Sequence, residues 1–131
     1  MLASAFTRLV GCRVPIQQAP MGSVSSPELA VAVAEAGGVG TITALGMPGD
    51  YLVSLLADMS KRTGGVLAAN FLTADLDRDA LAAAAERVRL IDFFWVDPDP
   101  VLVEMAHGGG AVVNWQVGSR RPWLRSTPAP I

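Results

Sequence analysis

The 131-residue sequence lacks the features that mark several protein classes. It has a single cysteine, Cys12, so no internal disulfide can form and a reducing compartment is indicated. No apolar run approaches the roughly 20 residues that a membrane-spanning helix needs. The start lacks the basic segment and long apolar stretch of a secretory signal. We therefore expect a cytoplasmic protein with no membrane partner.

Charge is also scarce and unevenly distributed. Charged residues make up 17% of the chain, and the net charge is −2. No acid follows Glu104, whereas residues 120–131 carry arginines and several prolines. A few arginines next to an otherwise acidic sequence would bind the phosphates of a nucleic-acid backbone poorly, so nucleic acid is not an expected partner. The abrupt change predicts a folded region at residues 1–119 and an irregular tail at residues 120–131.

Histidine and cysteine, which are the usual zinc ligands and frequent catalytic residues, are each present once. The single histidine, His107, lies at a predicted helix end, where it is expected to stabilise the C-terminus. No second ligand stands at a metal-binding spacing from it, so no metal site is predicted. Cys12 has no nearby histidine to activate it. The glycines of residues 37–40 and 108–110 follow helices and precede strands, which predicts tight turns rather than phosphate-binding loops.

What the sequence does have is a repeated alternation of short apolar runs and helical segments. Hydrophobic residues make up 51% of it, which suits one buried core. The runs begin roughly 20 to 27 residues apart, the length of one βα unit, and their continuous apolar character suits parallel strands buried on both faces. The predicted strands lie at residues 15–20, 39–43, 66–70, 90–95 and 111–117.

Four helices are predicted between these strands. The first has Ser26 as its N-cap and Pro27 at its first position, while Ser25 with Glu28 offers a competing capping frame. The others are indicated by apolar residues at helical spacing and by glycines at their ends. The four helices are expected at about residues 27–36, 50–63, 77–87 and 101–107.

This order of elements fits two α/β folds. One is an open doubly wound sheet, which is complete at about this size. The other is a (β/α) barrel of TIM type, which needs about 250 residues. Periodicity does not separate them. In both folds the functional site forms where strands end and helices begin.

Special residues stand at the ends of three predicted strands. The first strand ends in Ala19, Pro20 and Met21, the third reaches Asn70, and the fifth carries Gln116. An amide both donates and accepts hydrogen bonds, so Asn70 and Gln116 suit a polar ring system. The alternative is that both amides simply satisfy loop backbone.

The fourth strand is surrounded by acids and aromatics. Asp92, Asp97 and Asp99 are expected to cap the helix that follows it. Trp95 could line a pocket, although core or rim packing is the more common use of such a residue.

These residues resemble a known family. Residues 11–21 are similar to the opening of nitronate monooxygenases, formerly called 2-nitropropane dioxygenases. The resemblance continues in order through residues 26–40, Asn70 with Phe71, and residues 115–119. It implies an FMN-dependent β/α-barrel oxidoreductase that oxidises alkyl nitronates with O2. A related group of similar sequence reduces enoyl-acyl-carrier-protein double bonds with a nicotinamide cofactor, and that alternative stays open.

The resemblance also implies residue roles. Ala19, Pro20 and Met21 would run along the flavin through backbone contacts, and Asn70 with Gln116 would hydrogen-bond the isoalloxazine or nearby groups. The family's catalytic histidine belongs near strand six and its phosphate-binding loops lie further along. No catalytic residue is therefore assigned here.

Five predicted strands are fewer than the eight that barrel closure needs. The resemblance thus implies the N-terminal portion of a barrel, truncated to about five strands and four helices and inactive if the missing parts are essential. The tail at residues 120–131 resembles out-of-frame translation. A further hypothesis is a non-catalytic half-barrel that self-associates to cover its open sheet edges. A small flavodoxin-like domain is disfavoured, because the first strand lacks a phosphate-binding loop.

Overall fold

A computed structural model describes residues 3–117 of the chain; the predicted tail at residues 120–131 lies outside them. Short 3-10 turns lie at Gly22–Val24 and at Thr73–Asp75. The elements in chain order are α1 (Ala5–Val10), α2 (Pro27–Glu35), β1 (Val39–Thr43), α3 (Gly49–Arg62), β2 (Val66–Leu72), α4 (Arg78–Ala85), β3 (Leu90–Phe94), α5 (Pro100–Gly108) and β4 (Val112–Gln116).

Within residues 3–117, four strands form one parallel sheet in the order β1-β2-β3-β4. Helices α2, α3, α4 and α5 contact one another in the same succession, so they form a single layer. A doubly wound sheet would reverse its strand order and carry helices on both faces. The arrangement is therefore that of part of a (β/α) barrel, and the predicted fold class is confirmed.

The first predicted strand, residues 15–20, is reduced to one parallel bridge between Gln17 and Val39. The amide of Gln18 donates to the carbonyl of Val39, and the amide of Val39 donates to that of Ile16, both at 2.9 Å. Prolines at both ends of this segment have no N–H to donate, which limits the ladder. The segment still runs beside β1, in the position expected of the first strand.

One face of the sheet is covered by the helix layer. Along a strand, alternate side chains point to opposite faces. Ile42, Ile91 and Phe93 lie on the helix side, in one fully buried cluster with Leu56 of α3 and Leu81 of α4. This cluster is the main core of the protein.

Gly40 shows how closely the helix layer approaches the sheet. A Cβ atom at Gly40 would lie 1.8 Å from the backbone oxygen of Ala30. Only glycine allows α2 to rest on β1 at this point. The turn that precedes β1 also has the predicted form, because Gly37 adopts a left-handed φ of 96°.

The opposite side of the sheet is here called the inner face. At its amino-terminal end, Val39, Ala68 and Leu90 form a second buried cluster with Val10 and Cys12. The last two residues belong to α1 and the loop after it, so α1 closes this end of the inner face.

Helix α1 was not expected from the sequence. Ser4 and Thr7 form a capping box, in which the backbone amide of each donates to the side-chain hydroxyl of the other. Arg89 donates to the carbonyl of Leu9 at 2.7 Å and so satisfies the far end of the helix. Six residues are too few to show helical periodicity, which explains why the pattern did not reveal it.

The four predicted helices are all present. Ser26 caps α2 and Asp99 caps α5, while Asp77 accepts hydrogen bonds from two backbone amides at the start of α4. No helix among the described residues is long and apolar enough to span a membrane.

Candidate functional site

A row of polar side chains crosses the inner face near the carboxyl-terminal ends of the strands. The register pairs Thr43 with Asn70 on neighbouring strands. It also pairs Asn70 with Asp92, and Asp92 with Asn114. Gln116 lies two residues beyond Asn114, so it shares the same face of β4. This is the end of the sheet at which barrel enzymes build their active sites.

Asp92 stands at the centre of this row. Its side chain is fully buried and accepts hydrogen bonds from three amides. The Nδ2 of Asn70 lies 3.1 Å from Asp92 Oδ2 and 3.1 Å from the Asp92 backbone oxygen. The Nδ2 of Asn114 lies 2.5 Å from Oδ1, and the Nε2 of Gln116 lies 3.3 Å from Oδ2. Loss of hydration raises the pKa of the Asp92 carboxyl, and the three amides offset part of that rise.

The prediction that Asp92 caps the helix after β3 is wrong. Asp99 has that role, because its Oδ1 accepts from the amide of Val101 at 2.9 Å. Asp92 lies inside β3, where its side chain points across the sheet rather than along the chain. The sequence signal for this arrangement was an acidic residue within an otherwise apolar strand, since a buried carboxylate needs polar partners.

The loop that contains Ala19 and Met21 is held by Ser25. The hydroxyl of Ser25 donates to the carbonyl of Ala19 at 3.1 Å and accepts from the amide of Met21 at 2.7 Å. Ser25 is buried, so water competes little for these bonds. The sequence allowed either Ser25 or Ser26 to cap α2. Ser26 is the cap, because its hydroxyl accepts from the amide of Leu29 at 3.2 Å.

A cavity of about 300 Å³ opens at this end of the inner face. Four of the five predicted site residues line it: Ala19, Pro20, Asn70 and Gln116. Met21 is not part of the lining, and the residue is 45% exposed. None of the lining residues is basic. The remaining ones are Gly22, Thr43, Leu45, Leu72, Phe94 and Trp95.

Trp95 lines this cavity at its solvent-exposed rim. Its φ of 110° is left-handed, which a bulky side chain rarely adopts, and the residue is 68% exposed. Phe94 packs edge-on against it, with ring centroids 5.5 Å apart. The indole N–H of Trp115 donates to the carbonyl of Val96 at 2.8 Å and so fixes the loop after β3. Backbone strain of this kind costs roughly 1–3 kcal/mol and clusters at functional sites.

A second cleft, of about 310 Å³, lies near the amino-terminal edge of the sheet. Half of its lining residues are glycines, and the others include Cys12 and Arg13. The guanidinium of Arg13 donates to the carbonyl of Glu35 at 2.6 Å, so its charge stabilises the end of α2. The amino-terminal end of a barrel generally serves stability rather than chemistry. The carboxyl-terminal cavity is therefore the better candidate site.

Cys12 and His107 lie away from that cavity. Cys12 is buried beneath α1, and His107 is exposed in the last turn of α5, where it was predicted. Among residues 3–117, no group of three or more histidine, cysteine or acidic side chains is arranged to hold a metal ion.

Comparison with known proteins identifies the family. The family model described as nitronate monooxygenase matches residues 3–92 of the chain. The chain belongs to the nitronate monooxygenase family. Nitronate monooxygenase of Pseudomonas aeruginosa is 53% identical over 45 residues, which make up 34% of this chain and 13% of that protein. The family is one of oxidoreductases, and the resemblance found in the sequence is confirmed.

Solved structures share the fold. FabK from Thermotoga maritima superposes with a TM-score of 0.83 at 25% identity, covering 91% of this chain and 39% of that one. A nitroalkane oxidase from Streptomyces ansochromogenes superposes with a TM-score of 0.73 at 24% identity, covering 86% and 42%. The chain thus spans well under half the length of these relatives.

Proposed function

We propose that this chain forms the part of an FMN site that holds the isoalloxazine ring, within an oxidoreductase of nitronate monooxygenase type. The observation that carries the proposal is the single cavity lined by Ala19, Pro20, Asn70 and Gln116 at the carboxyl-terminal end of the sheet. Membership of the family supports it. In the complete enzyme the substrates would be a nitronate-like anion and O2.

The cavity residues fit the ring of FMN. Pro20, Leu45 and Trp95 offer apolar surface to a flat aromatic ring, and the amides of Asn70 and Gln116 offer hydrogen bonds to its polar edge. Bound FMN would supply the redox chemistry, while this chain would bind and orient it. Because no basic residue lines the cavity, the phosphate would be held elsewhere, where charge-assisted bonds are available.

No catalytic residue is assigned to the chain. The one histidine of the sequence, His107, is on α5 and does not line the cavity. Proton transfer at this cavity would therefore not depend on His107. The proposed contribution of the described residues is binding and orientation of the ring.

Titration of the purified 131-residue protein with FMN tests the proposal. We expect saturable binding with a perturbed flavin absorbance band. Gln116→Met should weaken binding about fivefold, the value of one ordinary hydrogen bond. Gln17→Met is the matched control, because Gln17 does not line the cavity, and it should bind like the unmodified protein. A folded protein that takes up no FMN would reject the proposal.

Turnover separates the two candidate activities. If the FMN-loaded protein consumes O2 with an alkyl nitronate and without a nicotinamide cofactor, the monooxygenase assignment holds. Reduction of an enoyl thioester that depends on a nicotinamide cofactor would instead favour the enoyl-reductase alternative. A cytoplasmic location remains a prediction.

The self-associating half-barrel remains a second proposal. Among the described residues, β4 has a strand neighbour on one side only, and an open edge of this kind can pair with another chain. Light scattering should then show a dimer or larger species, and a stable monomer would count against it.

A further inference from the structure

Three amide groups converge on one buried carboxylate beside the cavity. An ionised carboxylate only accepts hydrogen bonds, so each amide must turn its NH2 group toward Asp92. The structure has this arrangement for Asn70, Asn114 and Gln116. The carboxylate therefore fixes which end of each amide faces it.

The other end of each amide faces away from Asp92. The two bonds of Asn70 Nδ2, to Oδ2 and to the Asp92 backbone oxygen, account for both of its hydrogens. Within residues 3–117, no hydrogen bond is donated to Asn70 Oδ1 or to Gln116 Oε1. Because both side chains line the cavity, these oxygens are available as acceptors for a ligand.

We infer that Asp92 is a positioning residue that turns the carbonyl oxygens of Asn70 and Gln116 toward the ligand, so that the cavity selects a ring edge carrying a hydrogen-bond donor. This inference rests on the proposed function and specifies the polarity of the same site. The imide N–H of the isoalloxazine is a donor of the required kind. A ring edge that carries only acceptors would face two carbonyl oxygens and be disfavoured.

Burial of the Asp92 carboxyl lowers the stability of the fold, which supports a role for this residue beyond packing. Asp92 occupies a strand position in which its carboxyl is withdrawn from water, which disfavours the charged form and raises its pKa. Leu90, the inner-face residue before it on the same strand, is apolar, so its burial carries no such loss of hydration. Asn114 donates to Oδ1 while Asn70 and Gln116 donate to Oδ2, so the carboxylate is held from both sides.

The first test needs no ligand. In Asp92→Asn one end of the new amide is a donor, which opposes at least one of the three NH2 groups and forces it to reorient. We expect the side-chain NH2 resonances of at least one of the three amides, Asn70, Asn114 and Gln116, to shift in this variant. Asp58→Asn on the exposed side of α3 is the matched control and should leave them in place. Unchanged resonances in Asp92→Asn would overturn the inference, whether or not FMN binds.

The second test measures ligand polarity. FMN is compared with FMN methylated at the imide nitrogen, which cannot donate there. We expect the unmodified protein and Asp58→Asn to prefer FMN about tenfold, and Asp92→Asn to prefer it less than about threefold. A tenfold preference retained by Asp92→Asn would overturn the inference. If no protein binds FMN but the NH2 resonances shift, the proposed function fails and the positioning role of Asp92 stands.

The unmodified protein provides the test if Asp92→Asn does not fold. The NH2 protons of Asn70 and Asn114 should resonate away from the positions of solvent-exposed amides, because each is bonded to a carboxylate. Resonances at the solvent-exposed positions would contradict the proposed orientation.

Discussion

The two faces of the sheet differ in what their residues contribute. On the helix side, Phe93 is fully buried and Gly40 admits direct contact with α2, so the local structure favours stability. On the inner face, the carboxyl-terminal end holds the buried carboxyl of Asp92 and the left-handed, exposed Trp95. Both features cost stability. Their concentration around one cavity indicates that this end of the inner face serves function.

The largest effect on stability should come from the helix side. Leu81 is fully buried, so Leu81→Ala should lower the free energy of unfolding by about 2–5 kcal/mol in denaturant titrations. The FMN affinity of the protein that remains folded should not change. Leu45 lines the cavity and is 52% exposed, so Leu45→Ala should cost less than about 0.5 kcal/mol and weaken FMN binding. If Leu81→Ala weakened FMN binding with little loss of stability, and Leu45→Ala lowered stability without affecting FMN binding, the distinction between the two faces would be wrong.

A smaller effect is expected at the loop of Ala19 and Met21. Ser25→Ala removes two hydrogen bonds and leaves the amide of Met21 without its acceptor, so we expect a loss of about 1–2 kcal/mol and several-fold weaker FMN binding. Ser26→Ala is the matched control. It removes a helix cap, which costs about 1 kcal/mol, but it should leave FMN affinity intact. Equal FMN affinities in the two variants would contradict a role for Ser25 in the site.

The strain at Trp95 can be measured by comparing two truncations. Trp95→Gly removes the side chain and accommodates the left-handed backbone, whereas Trp95→Ala removes the side chain and keeps the strain. We expect the glycine variant to be about 1 kcal/mol more stable than the alanine variant in thermal unfolding. Both should bind FMN more weakly than the unmodified protein. Equal stabilities would show that the backbone at this position is not strained.

The smallest expected effect is a change in pH dependence. Burial raises the pKa of Asp92 in the folded protein, so the contribution of this group to stability is fully present below its unfolded pKa, near 3.8. That contribution is lost as the pH rises through the folded pKa. Relative to Asp92→Asn, the unmodified protein should therefore lose stability as the pH rises above about 4. Parallel curves of unfolding free energy against pH would contradict the burial cost.

Local patterns predicted most of the fold. Caps, helical spacing and apolar runs were sufficient for four helices and for the strands at β1 to β4. The first strand was predicted to be longer than it is, because the prolines at its two ends limit the hydrogen-bond ladder to one bridge. Helix α1 was missed because it is only six residues long.

The site was predicted only where it depends on strand ends. Asn70 and Gln116 could be found in the sequence because barrel sites form where strands end. Asp92 could not be assigned, because its partners Asn70 and Asn114 are each 22 residues away and meet it only through strand register. Ser25 was missed for a related reason: its bond to Ala19 depends on the path of the loop.

The most direct measurement is a chemical-shift map of the 15N-labelled protein during titration with FMN. The two clefts lie at opposite ends of the sheet, and the map distinguishes them. We expect the largest shifts at residues 19–22, Asn70 and Gln116, and small shifts at Arg13 and Gly65 in the amino-terminal cleft. Largest shifts in that cleft, or none in a folded protein, would contradict a flavin site at the carboxyl-terminal end of the inner face.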